Sequence, residues 1–290
     1  MLRAPAGPDG LRPALDESPS GVDMVVLRPA PAVRLLLGAL VLFFSVISSL
    51  AFAPRSAVGT EQVVVNGRTY DAYIPTATKE GQFEHYTCEF DAAWVVLETF
   101  GINLGLAEML AIVGHDTSIE PYYQQTANGI VIYGGDVTTA FSGNYADNFL
   151  ARTTGTAMWP LFEDYGLDVS RVQDREQIER ALEQGKLIWI KTTVDFQPWT
   201  PATWVMPDGD SYQTVLGNDH AVVIMGYNDQ GVVIRDVLGP TSSNWNRVYE
   251  YEVDWDTFLW AWGSHGKDGL AVGRPIPEGD GTGIGSVAVE

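Results

Sequence analysis

The first sustained apolar run covers residues 35–53 (LLLGALVLFFSVISSLAFA), 19 residues with no charge. Arg28 and Arg34 precede it and Arg55 follows. An uncharged run of ~18 or more residues with flanking positive charge predicts an export signal or a membrane anchor whose N-terminal side stays in the cytoplasm. Residues 1–34, rich in Pro, Ala and Gly and without periodicity, are expected to be a disordered cytoplasmic segment. Ala51-Phe52-Ala53 fits a small-x-small cleavage site, although Pro54 follows directly. With or without cleavage, the expectation is that the chain from about residue 56 lies outside the cytoplasm, secreted or membrane-anchored.

Beyond this run the pattern predicts a folded region. Residues 62–65 and 70–74 read as short strands about Asn66-Gly67. Residues 88–100 (CEFDAAWVVLETF) have helical spacing, with Ala92, Val95, Val96 and Thr99 on one face and Gly101 as the stop. Thr87 is the expected N-cap, and Glu89 and Asp91 put acid in the first turn, where the helix dipole favours it. Further helices are predicted over 104–113, 157–165 and, after the capping signal Asp174-Arg175-Glu176-Gln177, to Gln184. Residues 117–150 read as irregular. Strands follow at 187–193 (LIWIKTT), 220–227 (HAVVIMGY) and 232–237, with 194–218 as a long loop. A short aromatic helix runs from Asp254 to Trp262, and a last strand covers 270–272. Helices first and antiparallel strands second give an α+β class. The predicted divisions are 1–34, the apolar segment 35–53, a linker with the first strands at 54–71, the folded domain at 72–274 and a flexible tail at 275–290.

Composition narrows the function. The formal net charge is −20, so a nucleic-acid partner is not expected, because nothing would neutralise phosphates. The chain holds 1 cysteine, Cys88, which excludes an internal disulfide. An unpaired Cys in an exported chain points to a reactive thiol or an intermolecular bridge. No HExxH and no paired-Cys motif occurs, so no cofactor or metal is predicted.

Cys88 falls in the first turn of its helix, where free N–H groups and the dipole favour a thiolate. Gln82, six residues earlier, can aim its amide at the same point as the Cys88 N–H. His220 opens a strand, and pairing about the 228–231 turn brings Asp236 level with the stretch 220–223. An acid there can hold an imidazole tautomer. Among the other histidines, His85 is expected to line the cleft, His115 to sit in a turn after a helix, and His265 to be exposed in a loop.

The pattern Gln82-x5-Cys88-Glu89-x2-Ala92, with His220-Ala-Val-Val-x-x-Gly226-Tyr227 and Asp236 after a hairpin, resembles the bacteriocin-processing (double-glycine leader) peptidase-like cysteine proteases of the papain-like superfamily. The likeness runs over about residues 72–272. It implies a papain-like fold in which an N-terminal helical part carrying the nucleophile packs on a C-terminal antiparallel sheet carrying His and Asp. It further implies Cys88 as nucleophile, His220 as base, Asp236 as orienter and Gln82 as oxyanion donor, acting on a peptide or amide substrate. Val237 stands where the family usually has Pro. No transporter portion accompanies the domain, so leader-peptide specificity is not implied. Two other readings remain open at this point: a non-catalytic relative binding peptides or cell-wall components, and an acyltransferase using the same thioester.

Overall fold

Asn66 and Gly67, with φ of 51° and 78°, reverse the chain between β1 (Val63–Val65) and β2 (Arg68–Tyr70). This opens the computed structural model, which describes residues 62–242 and 244–275; segment 35–53, the residues before it and the tail beyond 275 lie outside the described residues. After β3 (Ala72–Tyr73) come α1 (Cys88–Thr99) and α2 (Leu106–Val113). Four short strands follow: β4 (His115–Asp116), β5 (Tyr122–Thr126), β6 (Gly129–Tyr133) and β7 (Phe141–Ser142). Then come α3 (Gly155–Glu163), β8 (Asp168–Arg171), α4 (Arg175–Glu183) and β9 (Leu187–Thr193). The chain continues through β10 (Pro201–Val205), β11 (Ser211–Val215), β12 (Asp219–Tyr227), β13 (Gly231–Arg235) and β14 (Glu250–Asp254). It closes with α5 (Trp255–Trp262) and β15 (Gly269–Gly273).

The main sheet has the order β14-β13-β12-β9-β15-β8, with β3 also paired to β12, and every pairing in it is antiparallel. Its central strands are apolar on both faces because both faces are covered. Leu187 and Trp189 of β9 join Phe90, Val95, Met109 and Leu161 of the first three helices in one core. Ile188 and Ile190 join Ile178, Leu182, Phe258 and Trp262 of the last two helices in a second. The predicted α+β fold is the observed one.

Local signals set the helix starts. The Asp174 side chain accepts from Gln177 N at 2.8 Å, and Gln177 Oε1 accepts from Gln173 N at 2.8 Å. Asp254 accepts from Thr257 N at 2.9 Å. Thr87 departs from expectation. It stands at the start of α1 but makes no capping bond to it; its hydroxyl donates to Asp91 at 2.7 Å and accepts from Glu84 N at 3.0 Å.

Two stretches predicted as irregular instead build a second sheet, in the order β11-β10-β6-β5. Trp204 fills its small core with Ile132 and Leu150, and its indole N–H donates to Gly135 O at 3.0 Å. The strands of this sheet come from two distant stretches, joined where β10 lies parallel to β6, and a non-local pairing of that kind has no local signature. β8 (DVSR) and β14 (EYEVD) are not among the predicted strands either; none of their positions is fully buried, so no apolar run marks them.

The hairpin that leads to Asp236 depends on Gly231. A Cβ there would lie 2.1 Å from Val253 O and 2.9 Å from Asp254 Cα. Gly231→Ala should therefore force β13 and β14 apart and cost about 1–3 kcal/mol, the usual range for overpacking, read as a lower urea midpoint with the slope unchanged.

Candidate active site

Cys88 begins α1, so its N–H has no carbonyl four residues back within the helix. The preceding loop is tied to that turn by Asp91, which accepts from Phe83 N at 2.9 Å and from Thr87 and pairs with Lys79 at 3.2 Å. Burial pushes the Asp91 carboxyl up to about 6, against the pull of these partners. Gly81 N donates to Val237 O at 2.9 Å, which joins the same loop to the segment after β13. Gln82 is thus held between the helix start and the His-bearing side of the sheet.

A cavity of about 240 Å³ opens at this junction. Gln82, His85, Cys88, Asn218, Asp219 and His220 line it, with Phe149 and Leu238 among its apolar walls. His220 is buried and its Nε2 lies 2.9 Å from Asp236 Oδ1, which leaves Nδ1 as the other ring nitrogen. In register, Val223 faces Arg235, so Asp236 comes level with Val222, within the stretch predicted for it.

Asp236 is itself clamped. Its Oδ1 accepts from Leu238 N at 2.8 Å, and its Oδ2 accepts from Tyr251 OH at 2.9 Å and from Arg247 Nη2. Arg247 Nε lies 2.9 Å from Asp195. Burial alone would raise the Asp236 carboxyl, but His220 and Arg247 hold it below the ordinary range. Arg247 and Tyr251 are not among the predicted site residues; they follow Asp236 by 11 and 15 positions, in a segment for which no element is predicted.

Beneath Cys88 lies a cluster of charged side chains with almost no exposure. Lys191 Nζ donates to Glu89 Oε1 and, at 2.8 Å, to Asp219 Oδ2. Arg152 Nε is 3.9 Å from Asp219 Oδ2, and His265 Nε2 is 2.7 Å from Asp219 Oδ1. Burial opposes the charge on Lys191, but Asp219 and Glu89 raise its pKa above the usual lysine range. Lys191, Arg152 and His265 hold the Asp219 carboxyl well below its ordinary value despite burial. Burial holds His265 down, towards the neutral ring. This histidine was expected to be exposed; it is 1% exposed, in a 3-10 turn whose ring closes the cluster. A lysine inside the apolar run LIWIKTT was the legible signal, since such a cation must meet carboxylates.

The cluster also changes the expectation for the thiol. Cys88 Sγ donates to Glu89 Oε2 at 3.2 Å. Burial, then Glu89, push the thiol well above its ordinary range, and Lys191 opposes them. The favourable helix end is outweighed in this conformation. Of the remaining histidines, His85 lines the cleft and its Nδ1 lies 2.9 Å from Ala146 O. His115 opens β4 and is not in a turn; its Nε2 lies 2.9 Å from Gly143 O. Among the described residues no group of three or more His, Cys, Asp or Glu could hold a metal ion, and no helix is long and apolar enough to cross a membrane.

Comparison with known proteins adds a family. The family model described as the Peptidase_C39 like family matches residues 75–269. A solved structure from Bacillus anthracis, described as a C39-like peptidase, superposes with a TM-score of 0.54 at 18% identity, covering 74% of this chain and 98% of that one. No curated protein sequence matches significantly.

The clamp on Asp236 has a pH signature. A carboxyl whose folded pKa is depressed contributes stability above its unfolded pKa, about 4, and loses it as pH falls through the folded value. Asp236→Asn should therefore be clearly less stable than wild type at pH 7. That difference should shrink below pH about 4, as measured by urea unfolding at a series of pH values.

Proposed function

Because the chain belongs to the Peptidase_C39 like family, we propose that it is a thiol hydrolase that cleaves peptide or amide bonds with Cys88, His220, Asp236 and Gln82. The observation that carries this reading is the shared cavity. Gln82, Cys88 and His220 line one cleft, and the far nitrogen of His220 is held by a clamped carboxylate. With Nε2–H donating to Asp236, Nδ1 is the lone pair that takes the thiol proton. The sulfur then attacks the substrate carbonyl. The Cys88 N–H and the Gln82 amide donate to the oxyanion as it forms. His220 returns the proton to the leaving amine, and water hydrolyses the thioester by the reverse sequence. The positively flanked apolar run at 35–53 supports work outside the cytoplasm, on an anchored or secreted enzyme.

The test is labelling of the full chain with a thiol-directed activity probe, followed by profiling on a peptide library. Cys88→Ser should lose both labelling and turnover; turnover retained in that variant would remove the nucleophile. His220→Ala should be inactive while His85→Ala shifts KM, and the reverse outcome would move the base to His85. Gln82→Ala should lower kcat by on the order of 10²–10³, the cost of one oxyanion donor. Its rate of alkylation by iodoacetamide should stay near wild type, because alkylation forms no oxyanion. Equal losses in both assays would assign Gln82 to the fold.

A further inference from the structure

The charge cluster under Cys88 has no part in the steps above, yet one of its members touches the reacting atom. Glu89 follows the cysteine directly and its side chain has no exposure. Its oxygens are divided. Oε1 accepts from Lys191 and, at 3.3 Å, from Thr153 N, while Oε2 faces Cys88 Sγ at 3.2 Å. Its carbonyl oxygen accepts from the Trp189 indole at 3.0 Å. Backbone and carboxylate are fixed by Trp189 and Lys191 of β9 and by the Thr153 N–H just before α3, so the group cannot swing away from the sulfur. A thiol has one proton to donate, and among the described residues its hydrogen bond goes to Glu89. His220 lines the same cleft without receiving it.

We propose that Glu89 is a positioning residue that holds Cys88 in a resting, protonated rotamer, from which the sulfur must turn to His220 before it can react. The proposal rests on the reading of Cys88 as the nucleophile. A rotation about the Cys88 Cα–Cβ bond carries the sulfur between the two acceptors, and the proton stays on sulfur until His220 takes it. The electrostatics agree with the geometry. The groups around the thiol are Glu89 from α1, Lys191 from β9, Asp219 and His220 from β12, and His85 from the preceding loop, with Arg152 behind Asp219. Lys191 and Arg152 are balanced by Glu89 and Asp219, so the cluster offers a thiolate no surplus positive charge. Burial and the two acids accordingly raise the thiol. The unengaged enzyme therefore presents a sulfur that resists alkylation and oxidation.

The experiment is the rate of alkylation by iodoacetamide against pH, followed by mass spectrometry on the full chain. Wild type, Glu89→Gln and Lys191→Met are compared, with near-ultraviolet circular dichroism to confirm folding. The wild-type thiol should titrate above the ordinary value of about 8.5. Glu89→Gln keeps the shape and removes the charge, and should lower the apparent pKa by about one unit, speeding alkylation at pH 7 about tenfold. Lys191→Met should move the profile the opposite way. Opposite shifts support the proposal. No change or a slower rate in Glu89→Gln, or shifts of both variants in the same direction as loosened packing would give, overturns it. If a variant does not fold, the wild-type profile decides, and a thiolate formed below the free-thiol range overturns the proposal. Alkylation needs no substrate, so this result is separate from turnover. Hydrolysis retained in Cys88→Ser defeats the nucleophile reading whatever the titration shows.

Discussion

A fully buried ammonium organises this domain. Lys191 lies at the centre of the main sheet, on a strand otherwise made of residues suited to a core. Its charge can be carried there only if carboxylates meet it, and they come from two separate places: Glu89 in the first turn of α1 and Asp219 at the start of β12. Breaking such a pair by removing one partner typically costs about 3–5 kcal/mol, because the remaining charge is stranded. The contact therefore fixes the height of α1 over the sheet and the register of β12 against β9, where Ala221 faces Lys191. Cys88 and His220 each sit one residue from a member of this contact. The proposed nucleophile and base take their positions from an ion pair that does none of the proposed chemistry.

The two faces of β12 divide the labour. Asp219 turns towards α1 and joins the cluster, whereas His220 reaches Asp236 and, through it, Arg247, Tyr251 and Asp195. One strand start thus feeds two polar networks, one under the thiol and one behind the imidazole. Within them, Arg152 Nη2, Asp219 Oδ1, Arg247 Nε and His265 Nε2 lack a hydrogen bond of good geometry, although Asp219 lies 2.7 Å from His265 and Arg247 lies 2.9 Å from Asp195. A buried polar network left partly unsatisfied is held in place by its ion pairs at a cost in stability.

What could be read from the sequence was local or periodic. The helix carrying Cys88, the strand LIWIKTT, the hairpin about 228–231 and the juxtaposition of His220 with Asp236 follow from spacing and turn chemistry alone. What escaped was of two kinds. The β10–β6 pairing joins residues about seventy positions apart and depends on Trp204 finding a pocket that neither segment announces. The roles of Glu89, His265 and Arg247 depend on which charges share a buried volume, and no pattern along the chain encodes that. Glu89 is the clearest case. As a helix-start acid it looks like an ordinary dipole partner, and only the third dimension puts Lys191 beneath it.

The last strand, β15, does not sit at an edge of the main sheet; it lies between β9 and β8. Until residues 269–273 have left the ribosome, β9 has an open flank and β8 has no neighbour in the sheet. The central pairing joins segments laid down early and late, so loop closure must come before most of the stabilising contacts form. A chain in mid-synthesis carries Leu187 to Thr193 as an apolar strand with unpaired amides, the kind of edge that recruits other chains. Completion of the sheet is postponed until translation of the domain is nearly finished.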